Sequence, residues 1–576
     1  MTAPDHDSDV ESLLARVGGL EAENARMRNV MKFGLVWEDR PESAEAKMTE
    51  RLPILVRKPS FDVAGKEPTD RPHILIEGDN LHALTVLQAT HANSVDVIYI
   101  DPPYNTGKEF IYNDKMVGKD DHWRHSAWLS FMNKRLRLAR ELLKNSGVIL
   151  ISIDDNEQAH LRLLCDRVFG AANFLATMVW ESRPQGGNDS AHYRVGHEYI
   201  LAYALDKAVC PPTIKLVTDR SKYRKKDSHF SSRGAYLPTK LNVSGLNYSA
   251  SMDYTITAPD NSEIVPSGDP SSNVDKWIWR WSPAKVEWGI ANDFIEFNRD
   301  PKSAQGWTVY YKEYEFVDNE GSPIDRSATR KGLLTQKGAL EFLKPYNVKL
   351  SAILGRKAFD NPKSLPLMMY LLGAFPSDAV ILDFFAGSGT TAHAAVQLNA
   401  EDGGRRQVIS VTNNESDICR EVTQPRIKAA LTGKWANGAA HPPLRGSLRF
   451  YTTDFLRNRR NRDQALIDLA RVAADIIAIK ESAHDKNLVD TYMTVLHGDN
   501  KVVAVVTDSF SDHRELAESA NLACGDQDMR LAYLFTWAED GIEEEVAAQW
   551  AGWVVRPLPA PLMAAIRHGI YEARST

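Results

Sequence analysis

The stretch VDVIYIDPPYNTG, residues 95–107, decides how the rest of the chain is read. Val95, Val97, Ile98, Tyr99 and Ile100 make an apolar run of buried-strand length, closed by Asp101, Pro102, Pro103 and Tyr104. The two prolines remove two backbone donors and hold the chain extended. A carboxylate and an aromatic ring are therefore held rigidly at the mouth of a sheet.

Outward from this stretch, strand and helix patterns alternate. HILIEGDN (73–80) is a short strand, followed by a helix over about 81–89. After the DPPY stretch come an amphipathic helix from Ser126 to Lys144, stopped by Gly147, and the strand VILISID (148–154). The next run, DNEQAHLRLLCDRVFG (155–170), reads as a helix opening on an aspartate cap. Strands alternating with helices of this length imply a doubly wound, mostly parallel α/β sheet. Between 181 and 350 the rhythm breaks into a Ser-, Asn-, Gly-, Trp- and Tyr-rich segment, read as an inserted domain. It then resumes over 351–438 with a helix near Lys363–Ala374, the strand AVILD (379–383), a helix after Gly389, the strand QVISV (407–411) and a helix to Leu431. Residues 439–576 read as a small separate α/β domain around KVVAVVTD (501–508) and MRLAYLFTWA (529–538). Residues 1–32 carry a seven-residue apolar repeat, with Asn24 in the seam formed by Val10, Val17 and Met31, which fits a short coiled coil or a surface helix.

Composition bounds the class. Hydrophobic residues at 43% and charged residues at 25% match an ordinary soluble globular protein, and no apolar run reaches the ~20 residues of a membrane span. The polar start MTAPDHDSDVES is not a secretory signal, so a cytoplasmic location is expected. Cys165, Cys210, Cys419 and Cys524 are scattered without a CxxC pair, so neither disulfides nor a metal site is expected. A net charge of −7 argues against a generally basic coat protein but leaves room for a local basic face.

The second informative stretch is VILDFFAGSGTTAHAA (380–395): strand, glycine turn, helix. Small residues let the backbone approach a ligand, and a helix N-terminus favours hydrogen-bond acceptors. Gly387, Gly389 and Ala392 also satisfy the dinucleotide fingerprint, so a nicotinamide oxidoreductase is an alternative. The pairing with DPPY favours amino-group methylation. The lone pair of an exocyclic base amine is delocalised into its ring. The Asp101 carboxylate and the Pro102 carbonyl can accept the two N–H bonds and direct the lone pair at the sulfonium methyl of S-adenosylmethionine, with Tyr104 stacking on a base swung out of the duplex. Glu415, beyond the next strand, is placed to hold a ribose.

DPPY preceding FAGSG, with a large insert between, resembles the β-class, circularly permuted adenine-specific DNA methyltransferases. The closer similarity is to the modification subunits of type III restriction–modification systems. It runs through FGLVWEDRPE (33–42), LIEGDNLHAL (75–84), the DPPY stretch, RLRLARELLKNSGVILISIDDNE (135–157), NPKS (361–364), residues 382–411 and GSLRFYTTDF (446–455). The resemblance implies a permuted Rossmann-like methyltransferase sheet in two halves, 33–180 and 351–438, around a target-recognition domain. It implies that Asp101, Pro102, Pro103 and Tyr104 are catalytic. Asp383, Phe385, Ala386, Gly387, Ser388, Gly389, Thr390 and Thr391 would cradle S-adenosylmethionine, with Asp79 near its adenine, Glu415 at its ribose and Lys363 beside its methionine end. Adenine N6 is the implied acceptor in double-stranded DNA, with cytosine N4 the alternative. A homodimer and a nuclease–helicase restriction partner are implied too, and a DNA-recognition subunit with lost methylation is the reading from another class.

Within the insert, DRSKYRKKDSHFSSRGAY (219–236) gathers Arg220, Lys222, Arg224, Lys225, Lys226 and Arg233 among aromatic rings, which suits phosphate contact and base stacking; the bland alternative is a solvated loop. KWIWRWS (276–282) reads as core, as do Trp128 and Phe131.

Overall fold

In the computed structural model the described residues are 37, 42–65, 71–106, 124–183, 192–211, 216–217, 222–244, 248–269, 277–301, 303–324, 327–328, 330–336, 340–436, 438, 441–456, 462–490, 493–498, 500–507, 512–524, 529–536, 541–560 and 563. They fall into two compact units, Lys215–Arg330 and the chain on either side of it. The seven-residue repeat of 1–32 and Arg220 lie outside the described residues.

The larger unit runs through α1 (Ser43–Glu50), β1 (Pro53–Arg57), β2 (His73–Glu77), α2 (Asn80–His91), β3 (Val95–Ile100), α3 (Arg124–Leu142), β4 (Leu143–Ile153), α4 (Gln158–Cys165), β5 (Phe174–Trp180) and β6 (Glu198–Ala204). The smaller unit supplies β7 (Tyr236–Lys240), α5 (Pro283–Ala291), β8 (Ile295–Arg299) and β9 (Trp307–Tyr314). The larger unit resumes with β10 (Leu333–Leu334), α6 (Leu365–Leu372), β11 (Val380–Asp383), α7 (Thr390–Asp402), β12 (Gln407–Thr412), α8 (Gln424–Thr432) and β13 (Leu448–Phe455). It ends on α9 (Arg462–Glu481), β14 (Asp485–Asp490), β15 (Met493–His497), β16 (Lys501–Val506), α10 (His513–Cys524), β17 (Met529–Leu534) and β18 (Val554–Pro557).

The main sheet has the order β1-β13-β2-β12-β11-β3-β4-β6-β5-β10. From β13 to β4 every pairing is parallel, while β1, β6 and β5 pair antiparallel with their inner neighbours. Parallel strands covered on both faces must be apolar throughout, and Val97, Ile98, Ile100, Ile381, Leu382, Ile409 and Val411 are fully buried. Each such side chain contributes about 1.5–3 kcal/mol of burial energy. Asp96 helps to set the register of the central pair: its carboxylate accepts from the Val380 amide (2.9 Å) and from Lys144 (2.7 Å). Ile381 then lies beside Val97 and Leu382 beside Ile98, so the DPPY and FAGSG turns leave the same edge of neighbouring strands.

Several sequence expectations change. The insert is shorter than 181–350, because Glu198–Ala204, EYILAYA, forms β6, paired along β4, and β10 pairs with β5. The C-terminal boundary also moves. GSLRFYTTDF supplies β13, which lies between β1 and β2, so the main sheet extends past 438 to Phe455. The last five strands do form their own sheet, β14-β15-β16-β17-β18. That sheet is not a free-standing body, since Ile476, Ile479, Leu496, Val505 and Tyr533 share one core with Leu84, Leu87 and Ile54. The expected aspartate cap on α4 is absent: Glu157 takes the capping position without a capping bond, and Asp155 accepts from the Tyr199 hydroxyl (2.8 Å). In the smaller unit β8, β9 and β7 form an antiparallel sheet over a core holding Trp279, Trp281, Phe294, Trp307 and Tyr314, so the Trp-rich run is core as expected.

Candidate active site

β2, β12, β11 and β3 are adjacent and parallel, and their C-terminal ends bring Asp79, Glu415, Asp383 and Asp101 to one edge. This is where open α/β sheets bind ligands.

The turn after β11 is built from inside. Asp383 is buried, accepting from the Phe385 amide (3.0 Å) and the Thr391 hydroxyl (2.5 Å). Burial pushes its carboxyl up to about 7 against those two bonds. Gly387 and Gly389 adopt left-handed φ values of 47° and 75°, open to glycine at no steric cost. A Cβ on Gly389 would meet Thr423 at 3.2 Å, and Thr423 in turn donates to the Gly387 carbonyl (2.5 Å). The buried Arg426 donates to Thr390 (2.6 Å) and Ser388 (3.2 Å). The Ser388, Thr390 and Thr391 side chains, expected to cradle a cofactor, are thus occupied inside the protein. Much of the turn's backbone is held internally too: the Ala386 amide donates to the Val411 carbonyl (3.0 Å) and the Gly389 amide to the Ala386 carbonyl (2.8 Å).

Asn80 couples this turn to its neighbour. Its amide donates to the Phe384 carbonyl (2.9 Å) and its carbonyl accepts from Arg135 (2.6 Å). Arg135, fully buried on α3, also pairs with Glu42 (3.0 Å) and lies 3.5 Å from Asp79. Asp79 caps α2 by accepting from the Leu81 amide (2.8 Å) and keeps 27% of its side chain exposed. Glu415 is exposed, next to Ser416 and Asp417 in left-handed conformations.

The DPPY turn is braced at three points. The Trp128 indole donates to the Pro103 carbonyl (2.7 Å), so the buried Trp128 both packs α3 and pins the turn. Asn105, left-handed at φ 54°, donates to Glu157 and to the Arg124 carbonyl (3.3 Å). The third brace is ionic. Lys363 lies 3.3 Å from Asp101 and 2.5 Å from Glu198, and donates to the Tyr104 hydroxyl (2.5 Å), which donates to Glu198 (3.2 Å). Burial raises the Asp101 carboxyl above its ordinary range while Lys363 pulls it down. For Lys363 burial alone would lower the ammonium, but Asp101 and Glu198 outweigh it and the net shift is upward. Lys363 thus touches the DPPY turn directly, a contact the sequence did not indicate. Glu198 was missed, although an acid at the head of the apolar run EYILAYA is an available signal.

In the smaller unit the basic run makes mostly internal contacts. Lys225 pairs with Glu296 (2.6 Å) and Lys222 lies 3.9 Å from Glu313. Lys226 sits 4.1 Å over the Phe230 ring, and Arg233 stacks on Phe294 (4.4 Å) while donating to the Asn292 carbonyl (2.9 Å). Arg224 has an exposed side chain.

Residues 95–421, more than half of the chain, match the family model described as DNA methylase, of N6 and N4 type. The chain belongs to this DNA methylase family. It is 34% identical over 374 residues to the StyLTI Mod subunit of a type III restriction–modification enzyme from Salmonella typhimurium, covering 60% of this chain and 53% of that protein. It is 32% identical over 397 residues to the EcoPI Mod subunit from Escherichia phage P1, covering 61% and 59%. With the type II methyltransferase M.KpnI of Klebsiella pneumoniae the identity is 33% over 352 residues, covering 58% and 79%. The chain therefore spans little more than half the length of the Mod subunits it matches. No described helix is long and apolar enough to cross a membrane.

Proposed function

We propose that this DNA methylase transfers a methyl group from S-adenosylmethionine to the N6 amine of adenine in double-stranded DNA, after base flipping. It would serve as the modification subunit of a type III restriction–modification system in the bacterial cytoplasm. The observation that carries the reading is the meeting of the DPPY and FAGSG turns at the ends of the paired strands β3 and β11. The type III Mod relatives support the restriction context, and the N6 and N4 family model supports an exocyclic amine as the acceptor.

The fit to the cofactor rests on the tight glycine turn at the N-terminus of α7, where Gly387 and Gly389 take left-handed φ values of 47° and 75°. In this reading Asp79 would meet the cofactor's adenine end and Glu415 its ribose. When bound, the sulfonium supplies an electrophilic methyl group. Asp101 and the Pro102 carbonyl accept the two N–H bonds of the amine and turn its lone pair toward the cradle. Lys363 favours the ionised form of Asp101, which is the acceptor. Tyr104, fixed at its hydroxyl by Lys363 and Glu198, offers one face to the flipped base. The smaller unit is the target-recognition domain in this reading, and Arg224, Lys225 and Lys226 are its phosphate contacts. A homodimer and a nuclease–helicase partner complete the proposed assembly.

Long-read sequencing of DNA from cells expressing the protein, scored for modified bases, tests this. N6-methyladenine in one sequence context, missing with Asp101→Ala, is the expected result. Modified cytosine, or no modification, overturns it.

A further inference from the structure

Glu157, His125 and His160 converge beside the DPPY turn, and the proposed chemistry uses none of them. Glu157 precedes α4, His160 lies in the first turn of that helix, and His125 comes from the start of α3. One ligand atom from each lies within 4.8 Å of the other two. His125 Nδ1 is 2.7 Å from Glu157 Oε1, His160 Nδ1 is 2.9 Å from Oε2, and the imidazole rings lie 4.6 Å apart.

Hydrogen bonding leaves part of this cluster unexplained. Oε1 accepts from Asn105, and His125 sits at bonding distance from it. Oε2 and His160 Nδ1, both buried, have no hydrogen-bond partner among the described residues in spite of their 2.9 Å approach. The two atoms thus meet as an ion pair without a well-aligned N–H bond between them. The Glu157 side chain is fully buried, so its charge carries a desolvation penalty. A dication would remove that penalty. Both imidazoles keep about a third of their surface open, which provides an entry path and room for a water ligand.

We propose that His125, Glu157 and His160 form a three-ligand site for a borderline divalent cation of the zinc class, completed by water. Two imidazole nitrogens and one carboxylate oxygen are an established zinc donor set, and Glu-x-x-His across one helical turn presents two of the three. Bonds of about 2.0–2.2 Å with tetrahedral angles set ligand atoms a little over 3 Å apart, so the present contacts open by about half an ångström on loading. One ligand comes from α3 and two from the start of α4, with no cysteine among them, so no linear metal motif marks the site. Because Glu157 also holds Asn105, the residue after Tyr104, the ion would brace the catalytic turn; this last consequence rests on the proposed function, whereas the site itself does not.

Isothermal titration of the full chain with zinc alone, after chelator treatment, tests the site. One equivalent should bind, and His125→Asn and His160→Asn should each weaken binding by about tenfold or more, since loss of even an outer-shell partner costs 10–100-fold. Both substitutions fall on half-exposed side chains, and retained circular dichroism controls for folding. Cobalt(II) should give the visible bands of a four-coordinate nitrogen–oxygen site, absent from His160→Asn. Failure to bind one equivalent, or binding indifferent to both substitutions, overturns the proposal. Methylation is not the readout, so either result leaves the proposed function standing.

Discussion

Replacing Lys363 by Met keeps much of the side-chain volume and removes the cation between Asp101 and Glu198. The ammonium lies 3.3 Å from one carboxylate and 2.5 Å from the other. At an effective dielectric of about 20 these separations correspond to gross attractions of about 5 and about 7 kcal/mol, most of which offsets the desolvation of three charges. Removing one partner of a buried pair costs about 3–5 kcal/mol because a charge is left uncompensated. Here Asp101 and Glu198 keep 30% and 23% of their side-chain surface, so water replaces part of what is lost. The expected destabilisation is therefore about 2–3 kcal/mol at pH 8. It should shrink as the pH falls. Burial raises the Asp101 carboxyl and Lys363 opposes this, so without Lys363 the folded-state value rises further. A group whose folded-state value is raised favours folding at low pH and loses that contribution as the pH rises. In the proposed mechanism a protonated Asp101 cannot accept the amine's N–H, so the acid limb of the methylation rate should move to higher pH. Denaturant unfolding at pH 6 and pH 8, with single-turnover methylation across the same range, reads both effects. A stability change under about 0.5 kcal/mol, the range of ordinary surface substitutions, together with an unmoved acid limb, would refute the reasoning.

Asp101→Ala should lower methyl transfer by about 10²–10³-fold or more, the loss typical of one preorganised electrostatic contact, while S-adenosylmethionine still binds in a titration; near-normal transfer would remove Asp101 from the catalytic set. Neutralising Arg224, Lys225 and Lys226 together should weaken DNA binding and flatten its salt dependence by up to about 2–3 units at ~0.9 per phosphate contact, and by less where a cation is already engaged, as Lys225 is with Glu296. An unchanged slope would return the run to an ordinary solvated surface. Asp383→Asn tests the burial of that carboxyl. Its folded-state value is raised from 3.8 to about 7, so its contribution to stability is complete below about pH 4 and is lost as the pH rises through 7. The variant without cofactor should show a flatter thermal-unfolding profile between pH 4 and 7, and parallel profiles would contradict the assignment.

What was legible in the sequence is what local sterics dictate. Two prolines after an apolar run and two left-handed glycines before a helix have few structural uses, and both turns stand where expected. What was not legible depends on residues distant in sequence. Ser388 and Thr390 were implied as ligand groups by the resemblance to the methyltransferase family. Only the fold shows that Arg426, more than a helix away, occupies both hydroxyls. The strand β13 was assigned to the wrong domain because its neighbours β1 and β2 lie nearly four hundred residues upstream. Lys363 was placed at the cofactor by motif, whereas its contacts with Asp101, Tyr104 and Glu198 follow from chain geometry that a motif does not encode.

The ionic brace also bears on how Asp101 works. Asp383 shows what burial does to a carboxylate on this edge without a cation in contact: its proton affinity rises toward neutrality. A base meant to remove a proton from the substrate would gain from that environment, since its ideal value lies near the working pH. Asp101 is instead given a lysine at 3.3 Å, itself secured by Glu198 and Tyr104, and that lysine pulls the value down against burial. In the proposed mechanism this lysine favours the charged carboxylate when a neutral amine arrives, against a net shift that burial still leaves upward. The arrangement fits a hydrogen-bond acceptor that orients a nitrogen, and it argues against a general base that must capture the proton before transfer. The orientation role needs only that Asp101 stay ionised and still, and Lys363 and the two prolines favour those two conditions separately.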